Sequence, residues 1–449
     1  MKVLILSCNT GEGHNSCAAA LEEECRNQNI PCDTEDALRF ISPEVSRFIS
    51  NWHVRIYRHA PGLFRVGYRA AEDHPAQFHE GSALYRYLTQ GAEKLCGFIA
   101  GSGYDTVICT HTFAALMVSE VVKTHLPNLK TCFIATDYTC SPSVKDSSLD
   151  RYFIPASSLS GDFLGGGVTS ERLRACGIPV RQMFRSSVRK EDAKRAFGIP
   201  ADHKHLVMMC GSMGCGPIMS IARRIARALP ADQDLTIVCG TNKQLFGRLS
   251  RRFCGVNNVH IRSYVKDMAL LMDSADLYLT KPGGISVTEA ASMRLPMVFI
   301  DAVAGCEEYN KDFFLRTGGA VTGQTPREIA RTSLKLLSNE PALEKMGDAL
   351  GAAVPQNASA ALAAAMADPE RYIRDNREML DRYRAVAESE EYKASPAYRL
   401  QECLKRLQRE SGYNDVFIPA MQRLSPAYGE YYKALQAANG VFQRHFQQE

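Results

Sequence analysis

No stretch of this sequence approaches the roughly 20 consecutive apolar residues that a membrane-spanning helix requires. Its first apolar run, Val3-Leu4-Ile5-Leu6-Ser7, is too short for the core of a secretory signal. The expected compartment is therefore the cytosol. Cysteine is plentiful but paired cysteine is missing. The 15 cysteines stand singly, several inside strand-like apolar runs (Cys109, Cys132, Cys210, Cys239), with neither CxxC pairs nor histidines at zinc-ligand spacing. That argues against a disulfide scaffold or a zinc module and reads as buried, reduced thiols. Net charge is also nearly absent, 53 Lys and Arg against 49 Asp and Glu, so no global field calls for nucleic acid. Attraction to an anionic surface must come from a local patch.

What is present is the material for more than one core: 449 residues, 45% hydrophobic and 23% charged. Short apolar runs alternate with helical patterns, the signature of parallel βαβ construction. Strands are expected at Val3–Ser7, Thr106–Thr110, Thr131–Thr136 and Tyr152–Pro155 in the first half. In the second half they are expected at Leu206–Cys210, Leu235–Cys239, Val259–Tyr264, Leu277–Thr280 and Met297–Ile300. Each half reads as its own doubly wound α/β sheet. The turn-rich, charged segment between Gly177 and Pro200 reads as the linker, which divides the chain into domains 1–190 and 191–368. After residue 368 the rhythm stops, and 369–449 reads as a charged, exposed helical extension.

Both halves open with a strand running into a glycine-rich turn and a helix: Ser7-Cys8-Asn9-Thr10-Gly11-Glu12-Gly13-His14, and Cys210-Gly211-Ser212-Met213-Gly214-Cys215-Gly216-Pro217. In open α/β sheets ligands sit outside the carboxyl ends of the strands, where helix N-termini attract anions. Neither turn has the Gly-Lys-Ser/Thr of a phosphate-binding P-loop, and tight strand-to-helix packing explains such glycines equally well. The segment Thr280-Lys281-Pro282-Gly283-Gly284-Ile285-Ser286-Val287-Thr288-Glu289 says more. It follows a strand and begins a helix, so the N–H groups of Gly283, Gly284 and Ile285 can approach a diphosphate beside Lys281. Glu289, one turn in, suits two ribose hydroxyls better than a phosphate. The plainer alternative is a capped helix with an exposed Glu. The next loop on the same rim carries Glu307, Glu308 and Asn310, which suit sugar hydroxyls or a solvated turn.

These motifs, together with Ser263-Tyr264-Val265, Gly305-Cys306-Glu307-Glu308-Tyr309-Asn310, Gly11-Glu12-Gly13-His14, Thr136-Asp137-Tyr138 and Gly177-Ile178-Pro179-Val180, resemble the diacylglycerol glycosyltransferases over nearly all of residues 1–365. That family includes the plant monogalactosyldiacylglycerol synthases and is related to the N-acetylglucosaminyltransferase that makes lipid II. The resemblance implies two facing Rossmann-like domains of the GT-B type, acceptor on the first and UDP-sugar on the second. Carried over by position, Tyr264 and Val265 meet the uracil. Gly211, Ser212, Met213 and Gly214, with Lys281, Pro282, Gly283, Gly284, Ile285 and Ser286, meet the diphosphate. Glu289 meets the ribose, and Glu307 and Asn310 the sugar. Three positions depart from the family pattern: Cys306 stands where Gln is usual, Ser141 where a His commonly follows the Thr-Asp-aromatic motif, and Glu12 where Gly is frequent.

Transfer from a UDP-sugar needs charge stabilised on the departing phosphate and a base for the acceptor hydroxyl. The only Asp-x-Asp, Asp232-Gln233-Asp234, precedes a strand and so lies at the amino end of the sheet, away from the ligand rim. It reads as a polar turn, and no metal or other cofactor is expected. His14, at the end of the first glycine-rich turn, is the expected base; alternatively it only orders the loop, and Asp137 on the same rim is the rival. A single base and direct attack imply inversion at the anomeric carbon.

From Val45 to Ala71 there is no Asp or Glu but five arginines, Arg47, Arg55, Arg58, Arg65 and Arg69. Val45, Phe48, Ile49, Trp52 and Ile56 recur at helical spacing, and Pro61-Gly62-Leu63-Phe64 reads as a turn with apolar side chains. A basic amphipathic segment of this kind suits the headgroup region of an anionic leaflet, though it also suits a core-facing helix with a solvated edge. Gly11, Gly13, Arg47, Phe48, Trp52, Arg55, Arg58, Phe64 and Arg65 are the expected acceptor and membrane residues. The expected partners are thus a UDP-sugar, a lipid acceptor and the inner face of the cell membrane. The rivals are a polyprenyl-linked acceptor, a UDP-N-acetylglucosamine 2-epimerase and a non-catalytic UDP-sugar-binding protein.

Overall fold

A computed structural model describes residues 1–359 apart from 51–60, 186, 212, 213, 215, 301–304, 356 and 357. Trp52, Arg55, Arg58, Ser212, Met213 and the expected helical extension therefore lie outside the described residues. Both sheets belong to one compact unit, Met1–Ala363.

The first sheet has six parallel strands in the order β2-β1-β3-β4-β5-β6. They are β1 (Val3–Ser7), β2 (Cys32–Asp36), β3 (Thr106–Cys109), β4 (Lys130–Ile134), β5 (Arg151–Ile154) and β6 (Leu173–Ala175). The second, also six parallel strands, runs β12-β11-β10-β7-β8-β9. Its members are β7 (Lys204–Met209), β8 (Gln233–Val238), β9 (Val259–Arg262), β10 (Leu277–Thr280), β11 (Met297–Phe299) and β12 (Ala320–Thr322). Central strands such as Val3–Ser7 and Leu277–Thr280 are buried along their whole length, as strands covered by helices on both faces must be.

Chain order reverses at one place in each sheet. From β1 the chain steps outward to β2 and then returns to the other side at β3; from β7 it steps to β8 and β9 and returns at β10. These reversals open a crevice at the carboxyl ends of β1 and β3, and of β7 and β10. The glycine-rich turn ending in His14 follows β1, while the Gly211 turn and Lys281-Pro282-Gly283 follow β7 and β10. The expected motifs thus sit at the two switch points.

Three expectations change. The strands β2, β6 and β12 were not anticipated, and all are at sheet edges. Pro61-Gly62-Leu63-Phe64 is not a turn but the first turn of a helix, Pro61–Asp73; proline is suited to that position because its fixed φ is helical and its missing N–H has no intrahelical partner there. Gln233 and Asp234 are not a solvated turn either: they open β8 and are buried. The Asp234 carboxylate is held between His203 Nδ1 and His260 Nε2, each at 2.6 Å, at the amino edge of the sheet and so opposite the switch point.

Candidate active site

On the first rim, the helix Glu12–Asn27 starts directly after the β1 turn and brings His14 beneath the end of β3. His14 Nδ1 lies 2.8 Å from the Thr110 carbonyl oxygen and 3.0 Å from Thr136 Oγ1. A carbonyl can only accept, so Nδ1 carries the proton and Nε2 keeps a free lone pair. Burial lowers the His14 pKa, with Asp137 and the Thr110 carbonyl pulling the other way. The ring is therefore a neutral imidazole at physiological pH. His111 meets it edge to face at 4.5 Å. His111 is fixed in turn, because its Nδ1 accepts from Phe113 N at 3.0 Å and caps the helix Thr112–Thr124.

On the second rim, Lys281 follows β10, and the helix Gly284–Ser292 begins three residues later. Lys281 Nζ donates to Glu307 Oε1 at 2.5 Å, and Glu307 is only 5% exposed. Gly211 has a positive φ of 66°, and a side chain on it would meet Lys281 Cε at 2.7 Å. The two phosphate-type motifs of this domain are thus packed against each other at one spot. Gly214, at a positive φ of 56°, turns the same loop tightly under the Cys239 carbonyl. Ser286 and Glu289 are half-buried on the helix. Burial pushes the Glu289 carboxyl up to about 8, opposed by Arg181. Tyr264 is 69% exposed, next to half-buried Val265.

The two rims touch. A Cβ on Gly284 would fall 2.0 Å from the Thr136 carbonyl oxygen and 2.7 Å from Asp137 Oδ1, so only glycine lets the helix Gly284–Ser292 start this close to the first domain. Gly13 meets the same helix as well: its Cβ position is 3.5 Å from Ile285 Cγ1. Asn310, fully buried in the helix Cys306–Thr317, donates to Asp137 Oδ1 at 2.7 Å and to the Pro282 carbonyl at 3.0 Å, and accepts from Tyr138 N at 2.7 Å. Both its amide hydrogens are spent inside the protein. Tyr138 completes the link, its hydroxyl 2.9 Å from Thr288 Oγ1 and its ring against Phe313 and Phe314.

A second link runs above this floor. The Tyr68 ring of the helix Pro61–Asp73 covers Gly305, whose φ is +79°. Tyr309 donates to Glu72 at 2.8 Å, and Arg69 lies 3.9 Å from Glu308. Burial, then the neighbouring Cys306 and Asp137, raise the Tyr68 phenol well above its ordinary range. The Cys306 thiol is raised by burial and by the carboxylates of Asp137 and Glu307.

The structure thus brings together His14, Asp137, Lys281, Gly283, Gly284, Glu307 and Asn310. It keeps Arg47 and Phe48 on the surface of the first domain, where Phe48 is 65% exposed. Gly11, in extended backbone at φ 173°, precedes the His14 helix. Phe64 and Arg65 lie in the helix Pro61–Asp73. The sequence reading gave no site role to His111, Thr110, Thr136 or Tyr68. His111 was within reach, since it directly follows an expected strand end on the rim that carries His14. Among the described residues no three His, Cys, Asp or Glu side chains converge in a metal-type cluster, and no helix is long and apolar enough to cross a membrane.

Comparison with known proteins agrees with this architecture. MurG from Acinetobacter baumannii superposes with a TM-score of 0.55 at 14% identity, covering 81% of this chain and 99% of that one. UDP-N-acetylglucosamine 2-epimerase from Neisseria meningitidis gives 0.53 at 14% identity, covering 82% and 99%. These likenesses establish the GT-B type of fold. In sequence, a processive diacylglycerol beta-glucosyltransferase of Staphylococcus saprophyticus is 25% identical over 356 residues, 78% of this chain and 88% of its own length. That of Bacillus pumilus is 25% identical over 349 residues, 77% and 89%. Residues 14–180 match the monogalactosyldiacylglycerol synthase family and residues 222–350 the group 1 glycosyl transferases. One domain after the other, from the His14 turn to the helices behind Glu289 and Asn310, the chain resembles the diacylglycerol glycosyltransferases.

Proposed function

We propose that this chain is an inverting glycosyltransferase that moves a hexose, glucose first among the candidates, from its UDP-sugar to diacylglycerol or a glycosyldiacylglycerol, as a peripheral protein on the inner face of the cell membrane. The observation that carries the reading is the contact of the two rims. A neutral imidazole with a free Nε2 stands on one, and Lys281 with a helix N-terminus stands on the other. The names of the relatives support glucose, diacylglycerol and a β-linkage. The UDP complexes among structures of the same fold support the donor.

In the reaction the acceptor hydroxyl oxygen attacks the anomeric carbon, and the bond from that carbon to the β-phosphate oxygen breaks. UDP departs with the electron pair, and the acceptor proton passes to His14 Nε2. Lys281 and the N–H groups at the start of the Gly284 helix take up the charge that builds on the diphosphate. Asp137, fixed by Asn310, faces the imidazole and stabilises its protonated form. Glu307 is paired with Lys281 in the free protein and becomes available to sugar hydroxyls as Lys281 turns to phosphate. Glu289, half-buried, fits the ribose. These electrostatics need no bound cation, so turnover is expected to survive EDTA; complete loss of turnover with rescue by manganese overturns that.

Incubation with labelled UDP-glucose or UDP-galactose and diacylglycerol vesicles tests the whole reading. Appearance of β-linked glycolipid supports it. Free epimerised sugar identifies an isomerase, unchanged donor a binding protein, and transfer only to a polyprenyl acceptor a different transferase.

A further inference from the structure

The second sheet has a charged surface that the reaction does not use. Its outer cover consists of the helices Ile218–Ala228, Lys243–Arg252 and Pro326–Leu337, which share one apolar core with alternate residues of β7 to β11, among them Leu206, Met208, Leu235, Ile237 and Leu279. Because the three pack on the same side of one sheet, their outward faces form one surface. Ile218, Ile221 and Ile225 point in, and Arg223, Arg224 and Arg227 point out and are exposed. On the next helix Leu249 points in while Arg248, Arg251 and Arg252 are exposed. The third helix adds further exposed basic side chains, and its single carboxylate, Glu328, is engaged by the Gln324 N–H at 2.8 Å.

Acids are also sparse in the sequence that supplies the first two of these helices. Between His203 and Lys266 the only ones are Asp232 and Asp234, and Asp234 is buried between two histidines at the far edge of the sheet. Among the described residues none of the six arginines lies within ion-pairing distance of a carboxylate. Surface lysines and arginines are ordinarily interspersed with acids, because a field of one sign repels itself across a folded surface. An unneutralised stripe on three neighbouring helices is matched by a dense, extended array of negative charge.

We propose that this face of the nucleotide domain is an electrostatic contact to an anionic bilayer, separate from the arginine-rich segment of the first domain. The inference rests on the reading of a lipid acceptor, which brings the enzyme to a membrane surface. Single-stranded nucleic acid is the other polyanion to weigh, and its binders offer exposed aromatic rings for base stacking. The outward faces of these helices have none: Phe246 is half-buried and Phe253 is buried. Long cationic side chains without an apolar wedge suit attraction to headgroups rather than insertion. The first domain, where Phe48 is exposed, retains the apolar part of the attachment.

The test is flotation of the full chain with neutral phosphatidylcholine vesicles and with vesicles containing phosphatidylglycerol, repeated with R223Q/R224Q/R227Q/R248Q/R251Q/R252Q. The expected result is that wild type floats with the anionic vesicles, less so as salt rises, and that the variant binds them at least about tenfold more weakly. Its transfer to detergent-dispersed diacylglycerol stays at the wild-type rate, because none of the six residues is at the cleft. R248Q/R251Q/R252Q, with an intermediate loss, replaces it if the sixfold variant does not fold. Undiminished flotation of the folded variants overturns the proposal, as does tighter binding of wild type to an oligonucleotide than to anionic vesicles at physiological salt. Salt-sensitive flotation abolished by the substitutions, with no glycolipid formed from any donor, leaves the surface standing and removes the transferase reading instead.

Discussion

Asn310→Asp changes one atom in the floor of the cleft and reverses its hydrogen bonding. The amide nitrogen now donates to Asp137 Oδ1 at 2.7 Å and to the Pro282 carbonyl at 3.0 Å. Losing the charge-assisted bond removes about 1.5–3 kcal/mol and losing the neutral one about 0.5–1.5 kcal/mol. Two carboxylates at such a separation repel by several kcal/mol more, which the pair escapes by holding one proton between them. A cost of about 3–5 kcal/mol near pH 8 follows. The shared proton sets the pH dependence. In the folded variant one carboxyl titrates above the usual value of about 3.9, so the folded state holds a proton that the unfolded chain has released. The variant therefore loses stability as pH rises through that window and recovers part of it near pH 5. Urea unfolding of wild type and variant at both pH values, read at the first transition, measures the difference. A deficit below about 1 kcal/mol, or one equal at both pH values, refutes the assignment of Asn310 as the tie between the domains.

Other substitutions probe neighbouring parts of the same arrangement. His14→Gln is expected to reduce turnover by about a hundredfold or more while UDP titration stays near wild type; near-normal turnover, with Asp137→Asn inactive, transfers the base to Asp137. Gly284→Ala places a methyl where the Thr136 carbonyl stands, so it should lower the melting temperature at a cost of about 1–3 kcal/mol and weaken UDP binding together. An unchanged melting point and unchanged affinity argue against contact of the rims. His205, fully buried with its pKa lowered to about 4 by burial, is neutral when folded. Its contribution is complete above the unfolded value of about 6.5 and is lost as pH falls toward 4, up to about 3 kcal/mol. His205→Asn should flatten that part of the stability profile, and an unaltered acid limb counts against it.

The parts legible from sequence were those where chemistry and burial act on contiguous residues. Interior strands such as Val3–Ser7 and Leu277–Thr280 must be apolar throughout because helices cover both faces, so they stand out as runs. Edge strands escape that requirement. Cys32-Asp33-Thr34-Glu35-Asp36 is mostly polar and partly exposed, and Leu173–Ala175 and Ala320–Thr322 have three residues each. A helix starting at Pro61 was misread because Pro-Gly usually marks a turn, whereas here the proline occupies the first helical position. In the site, the local motifs around His14 and Lys281 were visible as strand, glycine and helix in succession. What joins them was not: Asn310 reaches Asp137 across 173 positions of sequence, and Tyr138 reaches Thr288 across 150. Nothing in either local pattern specifies the other end.

The two links across the cleft differ in strength in a way that bears on how a lipid enters. The floor is made by a fully buried amide with three hydrogen bonds and by a glycine in van der Waals contact with the opposite backbone. Opening it strands buried donors and acceptors, each at about 1–3 kcal/mol. The upper link, from the helix Pro61–Asp73 to the helix Cys306–Thr317, includes an Arg69–Glu308 pair at 3.9 Å with both side chains well exposed, which contributes about 0–1 kcal/mol. Its Tyr309–Glu72 bond is also exposed, and water replaces it at little cost. Separation of the domains is thus opposed at the floor, where His14 and the Lys281–Gly284 segment are held in registry. Polar contacts oppose it little at the Pro61 helix, where the Tyr68 ring packed on Gly305 is the part that has to move; this helix carries part of the arginine-rich segment expected to meet lipid. If the proposed lipid acceptor enters from a bilayer, the expected route displaces this upper link and leaves the groups of the floor in place.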